Sequence, residues 1–377
     1  MQRRDFLKVA AILGISYTLS RYSQDIRKVF ALLPENKVHL IWLNAAADSG
    51  CTISMLQAYD PELMDAVSDL RLSADFWQPL MTPDYDLGWV SAGYTSEESS
   101  SVPLMRAAYE EAPVDVLVVE GSIQTASPKG GSPGDFCTIG EYQGKPRSAY
   151  ELLQRLAAKA SYVVAVGQCS AFGGIPAAMG NVTGATSVVN ALKQAGVGTR
   201  NPVINLPGCP AHPDWTLLTL ASVLQGFKPD LDPLGRPRAF FSEVIHDHCP
   251  RRGYYDRGEF ATSFDDPRCL WKLGCKGPIT YSACAITKWN SGLSFCTQRG
   301  PMCWGCMHES FPDPPSSPFF KEVEAVPSIL GVDANALGAV MAVGTAAAVG
   351  AHLASSYRRG KFKRGGEEEA RSEGGKA

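Results

Sequence analysis

The chain has 377 residues, enough for two domains with real cores, so size alone calls for neither disulfides nor a structural metal. A formal net charge of −3, with no basic stretch interleaved with aromatics, excludes nucleic acid as the partner. The eleven cysteines therefore need a chemical reason, and 36 glycines with 26 prolines mark many turns and close backbone approaches.

Residues 1–35 read as an export region. The run RRDFLK at residues 3–8 precedes the uncharged segment VAAILGISYTLS, which is too short to span a bilayer but suits the apolar part of a twin-arginine signal. An amphipathic N-terminal helix is the alternative.

Residues 36–228 read as an α/β domain. Four short apolar runs, VHLIWLNA (38–45), VDVLVVEGS (114–122), YVVAVGQCS (162–170) and PVINLPGC (202–209), have the length of buried parallel strands. They alternate with helical patterns such as YELLQRLAAKA and TLLTLASVLQGF, the mark of a doubly wound parallel sheet. Ligands in such sheets sit beyond the carboxyl ends of the strands, and Asp48, Cys51, Cys169 and Cys209 all fall at or just past those ends. The glycines and prolines around Cys169 and Cys209 let the backbone approach a bound group and aim N–H groups at it.

From about residue 235 to 315 the periodicity fades, and seven cysteines lie between positions 249 and 306. Disulfides would be the ordinary explanation in an exported chain. Thiolate-bound iron–sulfur clusters fit better, because the cysteines are grouped and a histidine lies beside the first of them. Taken in order, His246, Cys249, Cys269 and Cys275 form one set of four ligands, and Cys284, Cys296, Cys303 and Cys306 another. Cys137 is left over and reads as a buried free thiol. His212 and His248 read as supporting groups rather than ligands, and Met302 and Trp304 as packing beside a cluster.

Residues 334–354 carry no formal charge over 21 positions, about the length that crosses a hydrocarbon core. Residues 355–377 then run basic (Arg358, Arg359, Lys361, Lys363, Arg364) and finally acidic. On this reading the segment is a transmembrane anchor, with the body on the periplasmic or outer face of the cell membrane and the tail in the cytoplasm. A buried Ala-rich helix is the alternative.

The ordered segments WLNAAADSGCTISML, VVEGS, AVGQCSAFGGIPAA, NLPGCPAHPD, IHDHCPRRGYYDRGEF, CLWKLGCKGP and CWGCMHESFPD together resemble the small subunit of nickel–iron hydrogenases over essentially the whole chain. The resemblance extends to the membrane-bound uptake type through the two termini. It implies a flavodoxin-like domain carrying a proximal cluster and an irregular domain carrying medial and distal clusters. It further implies a separate large subunit that holds the nickel–iron centre, so that no catalytic residue lies on this chain. Hydrogen is split on the large subunit, and electrons leave through the proximal, medial and distal clusters to a membrane acceptor such as a cytochrome b or a quinone-linked protein. The assembly implied is a higher oligomer of heterodimers.

Carried over residue by residue, Cys51, Cys169 and Cys209 bind the proximal cluster, His246, Cys249, Cys269 and Cys275 the distal, and Cys284, Cys303 and Cys306 the medial. Two positions depart from the family pattern. Asp48 stands where the first cysteine of a Cys-x-x-Cys pair is usual, which resembles the actinobacterial-type high-affinity subgroup and implies a carboxylate as fourth proximal ligand. Cys296 stands where a proline is usual, which implies a fourth medial thiolate and three 4Fe–4S clusters, or a 3Fe–4S medial cluster if Cys296 is not a ligand. Glu120 reads as a structural group at a strand end, with proton movement near the subunit boundary as its alternative. A respiratory quinone-reductase subunit shares the PGCP region but has one cluster, which leaves the cysteines beyond 249 unexplained. A disulfide-stapled exported binding protein is the reading without redox chemistry.

Overall fold

The computed structural model describes residues 38–59, 63, 74–77, 96, 100–224, 227–312 and 334–359. The export region and all but the first residues of the tail lie outside these residues. The described residues up to 312 belong to one compact unit, and the helix Ala334–Arg358 belongs to a second.

The first unit is built on five parallel strands: β1 (Leu40–Asn44), β2 (Ala74–Trp77), β3 (Val116–Glu120), β4 (Tyr162–Val166) and β5 (Ile204–Leu206). Their order in the sheet is β2-β1-β3-β4-β5, the flavodoxin-like arrangement, in which the chain reverses its direction of travel between β1 and β3. Four of the strands are the apolar runs read from sequence, each shortened at its ends. The runs at 162–170 and 202–209 end as strands at Val166 and Leu206, because the glycines and prolines that follow leave extended structure. The four-residue strand β2 has no apolar run in the sequence and pairs on one side only, with β1.

Side chains alternate across the sheet with period two. Trp42, Val116, Val118, Val164, Val166, Ile204 and Leu206 face one core, while Ile41, Leu43, Leu117, Val119, Val163 and Ala165 face the other. The second core is covered by helices α2 (Val102–Tyr109), α3 (Ala149–Lys159) and α5 (Val188–Ala195). Ser148 caps α3, its hydroxyl accepting the Glu151 N–H at 3.1 Å, and the helix buries Leu152, Leu153, Leu156 and Ala157. The first core is covered by α1 (Gly50–Met55), by α6 (Pro213–Leu224) and by the irregular segment from Phe240 to Met307. Cys275, Cys284 and Cys303 are members of this core. The short helix α4 (Gln168–Phe172) follows β4 directly.

The expected helix at 334–354 forms, over Ala334–Arg358, but the expectation that it is a transmembrane anchor is corrected. Among the described residues no helix is long and apolar enough to cross a membrane. The cause is composition: alanine and glycine avoid charge yet bring little apolar surface per residue.

Leu156 is completely buried on the α3 face. Leu156→Ala is expected to cost about 2–5 kcal/mol through lost burial and the cavity left behind, seen as a lower denaturant midpoint of the purified complex.

Candidate functional site: three cysteine groups on one sheet face

The register places Asn44, Glu120, Val166 and Leu206 side by side at the carboxyl edge of the sheet. The first group of cysteines grows from that edge. Cys51 lies in α1 after β1, Cys169 in α4 after β4, and Cys209 in the loop after β5. The three thiols lie close enough to perturb one another electrostatically, and Asp48 acts on both Cys169 and Cys209. One Asp48 carboxylate oxygen, Oδ1, accepts the Gly50 N–H at 2.8 Å. Glycine is required at position 167, where φ is +92° and an added Cβ would stand 2.5 Å from Cys51 Sγ.

Glu120 fixes this corner. Helix α1 begins at Gly50 after a left-handed Ser49 (φ 61°) that provides no side-chain cap. Glu120 caps it from the neighbouring strand: its carboxylate accepts the N–H groups of Cys51 (3.0 Å) and Thr52 (3.1 Å), the Thr52 hydroxyl, and the Trp42 indole N–H (2.9 Å). The buried carboxylate thus sets where the Cys51 sulfur stands, the structural role expected from sequence.

A second group surrounds a small cavity, whose walls include His246, Cys249, Cys269, Cys275, Arg251 and Thr297. His246 Nε2 is buried there with no hydrogen-bond partner, as a metal-binding nitrogen would be. Burial, and then the Arg252 charge, hold the imidazole below its ordinary pKa and so in the neutral form that binds metal. The ring is half-buried rather than openly exposed, with Tyr255 packed edge-on at 4.5 Å. The third group is Cys284, Cys296, Cys303 and Cys306, linked by mutual electrostatic influence. Met302 is fully buried and Trp304 partly buried against the same core.

Amide N–H groups converge on these sulfurs. Cys269, Cys275 and Cys303 each receive the N–H of the residue two positions on, Trp271, Gly277 and Gly305. Cys51 Sγ accepts from Ala211 N–H at 3.4 Å and Cys169 from Ile175. Two such contacts join the groups: Cys209 N–H donates to the Cys306 sulfur, and Cys303 N–H to Cys275 Sγ at 3.4 Å. The first group therefore touches the third, and the third touches the second.

Burial pushes the free thiols up, Cys169, Cys275 and Cys284 to about 11 and Cys306 to about 12. Thiols this high are protonated at neutral pH, so iron uptake must displace protons and is favoured as pH rises. All eleven cysteines are free, which removes the disulfide reading. Among the described residues no three His, Cys, Asp or Glu side chains converge on a single-ion site. Cys137 stands apart from the three groups and packs against the second core, and burial lifts it to about 11. His212 and His248 are not in the groups: His212 is buried against Trp215 and Trp289, and His248 pairs with Glu243.

Residues 241–320 match the family described as the C-terminal part of the NiFe/NiFeSe hydrogenase small subunit, and residues 49–223 match that of the NADH ubiquinone oxidoreductase 20 Kd subunit. The F420 non-reducing hydrogenase I small subunit of Methanosarcina mazei is 36% identical, the alignment covering 96% of this chain and 94% of that one. The chain belongs to the nickel–iron hydrogenase small subunits. Solved structures agree. The Ni-Fe-Se hydrogenase of Desulfomicrobium baculatum superposes with a TM-score of 0.65 at 35% identity, over 77% of this chain and all of that one. The actinobacterial-type NiFe-hydrogenase of Ralstonia eutropha H16 gives 0.65 at 32% identity, over 78% and 84%. As a hydrogenase small subunit, the protein is the electron-transfer partner of a large subunit, and the quinone-reductase likeness is confined to the α/β half.

Sequence reasoning gives Glu120 a structural and His212 a supporting role but not the partners through which they act, Glu120 as the cap of α1 and His212 as a buried clamp. Removing Glu120 takes its carboxylate from four buried donors, and each one left unpaired costs roughly 1–3 kcal/mol. Glu120→Ala is expected to abolish recovery of the assembled complex on size exclusion, whereas Glu120→Gln, which keeps an acceptor oxygen, retains part of it.

Proposed function

We propose that the three groups hold three iron–sulfur clusters in line. Asp48, Cys51, Cys169 and Cys209 hold the proximal cluster, Cys284, Cys296, Cys303 and Cys306 the medial, and His246, Cys249, Cys269 and Cys275 the distal. The observation that carries this reading is the order of contact: Cys209 to Cys306, then Cys303 to Cys275. Clusters bound there supply one-electron carriage between the hydrogen-splitting partner and an external acceptor. The chain's own residues fix the sulfur positions and direct amide dipoles at them, and they bury Cys51, Cys269, Cys275, Cys284 and Cys303 away from water. His246 and the surface around Tyr255 form the exit. Four ligands in each group, with Cys296 among them, support three 4Fe–4S clusters. The likeness to an actinobacterial-type enzyme and the offset of Asp48 from Cys51 support carboxylate ligation at the proximal cluster and membership of that subgroup.

The reading extends to the cell. The Arg3–Arg4 start supports twin-arginine export, and the likeness to the uptake hydrogenase small subunit of Afipia carboxidovorans supports delivery of electrons from hydrogen uptake to a cytochrome b or quinone-linked acceptor at the membrane; the heterodimers are proposed to assemble into a higher oligomer. Replacing both arginines by lysine is expected to leave the complex in the cytoplasmic fraction, and unchanged export would contradict this part.

The heterodimer purified without air is expected to carry about a dozen irons on this chain. Cys296→Pro should then show a 3Fe–4S EPR signal on oxidation that the parent lacks. Asp48→Cys should alter the proximal cluster spectrum alone. Fewer than three clusters, or a 3Fe–4S signal already in the parent, contradicts the assignment.

A further inference from the structure

Cys284 differs from the other proposed medial ligands in receiving two side-chain donors. The Ser282 hydroxyl stands 3.1 Å from Cys284 Sγ and 2.9 Å from Met307 Sδ. Its oxygen accepts the Cys284 N–H at 3.2 Å, so its one proton goes to a sulfur. An iron-bound thiolate is a better acceptor than a thioether, which directs that proton to Cys284. The Trp289 indole reaches the same sulfur, and an indole N–H can only donate.

Trp289 is placed by a strained turn and a clamp. Lys288, Asn290 and Ser291 all have left-handed φ, at 57°, 52° and 62°. Such a turn persists only when its surroundings hold it. His212 does so: Nε2–H donates to the Lys288 carbonyl at 2.6 Å, and the ring lies between Trp215, stacked at 4.4 Å, and Trp289 at 4.6 Å. Burial drives His212 down to about 4, so it stays neutral and keeps one ring nitrogen protonated for that bond. His212 lies three residues after Cys209, so the proximal loop itself positions the donor on the medial sulfur.

We propose that Ser282 and Trp289, the latter held by His212, are positioning residues that raise the reduction potential of the medial cluster. This rests on the assignment of Cys284, Cys296, Cys303 and Cys306 to one cluster. A reduced cluster carries one more negative charge than the oxidised form, so donors on its sulfur stabilise the reduced state more. Their effect opposes that of a fourth thiolate at Cys296, which adds negative charge and lowers the potential.

The test is EPR-monitored redox titration of the intact heterodimer, comparing the parent with Ser282→Ala, Trp289→Phe and the double variant. The medial midpoint is expected to move negative in each single variant and further in the double, with proximal and distal midpoints unchanged and full medial spin intensity. Ser282→Thr, which retains the hydroxyl, is expected to stay at the parent value. An unmoved medial midpoint at full intensity overturns the inference while leaving the ligand assignment intact. A parent enzyme with no third cluster removes both. If the variants do not assemble, pulsed EPR of the parent and of Trp304→Phe, both labelled with indole-15N tryptophan, decides: an indole 15N coupling to the medial cluster in both supports the inference, and its absence overturns it.

Discussion

An amide N–H directed at a buried sulfur is the interaction on which this protein depends. Burial makes Cys169, Cys275, Cys284 and Cys306 hard to ionise. The N–H groups of Ala211, Ile175, Trp271, Gly277 and Gly305 work in the opposite sense, favouring the anionic sulfur that iron binds. The irregular segment after residue 240 is organised around this requirement. Its short turns put a backbone donor two residues beyond a cysteine, a geometry a continuous helix or strand does not offer. Where the same contact crosses from one group to the next, it also fixes the order of the groups.

The sheet explains why sulfur atoms distant in sequence meet. Parallel strands in register end on one edge, and the flavodoxin-like strand order leaves a crevice beyond the paired carboxyl ends of β1 and β3. Glu120 lies at that point and turns a general crevice into a defined one by capping α1 from the adjacent strand. A carboxylate buried in this way serves position rather than proton traffic, because its oxygens are already engaged by four donors.

Much of this is legible in the sequence. Apolar runs mark four of the five strands, three of them closed by Gly or Pro, and the cysteine spacing marks all three groups, because sulfur ligands must lie at strand ends or in close clusters to meet. Other features are not legible. Strand β2 lacks an apolar run, the capping by Glu120 depends on a partner some seventy residues away, and the His212 clamp depends on a turn at Lys288 that sequence does not announce. For the uncharged segment 334–354 the helix itself is legible, while among the described residues no helix is long and apolar enough to cross a membrane.

The first core joins Val116, Val118 and Val164 of the sheet to Phe240, Cys275, Met302 and Cys303 of the irregular segment. The irregular segment is therefore one wall of the sheet's own core in this chain. Deprived of it, the sheet would turn a valine-rich face to water, so the two halves of the polypeptide must fold against each other.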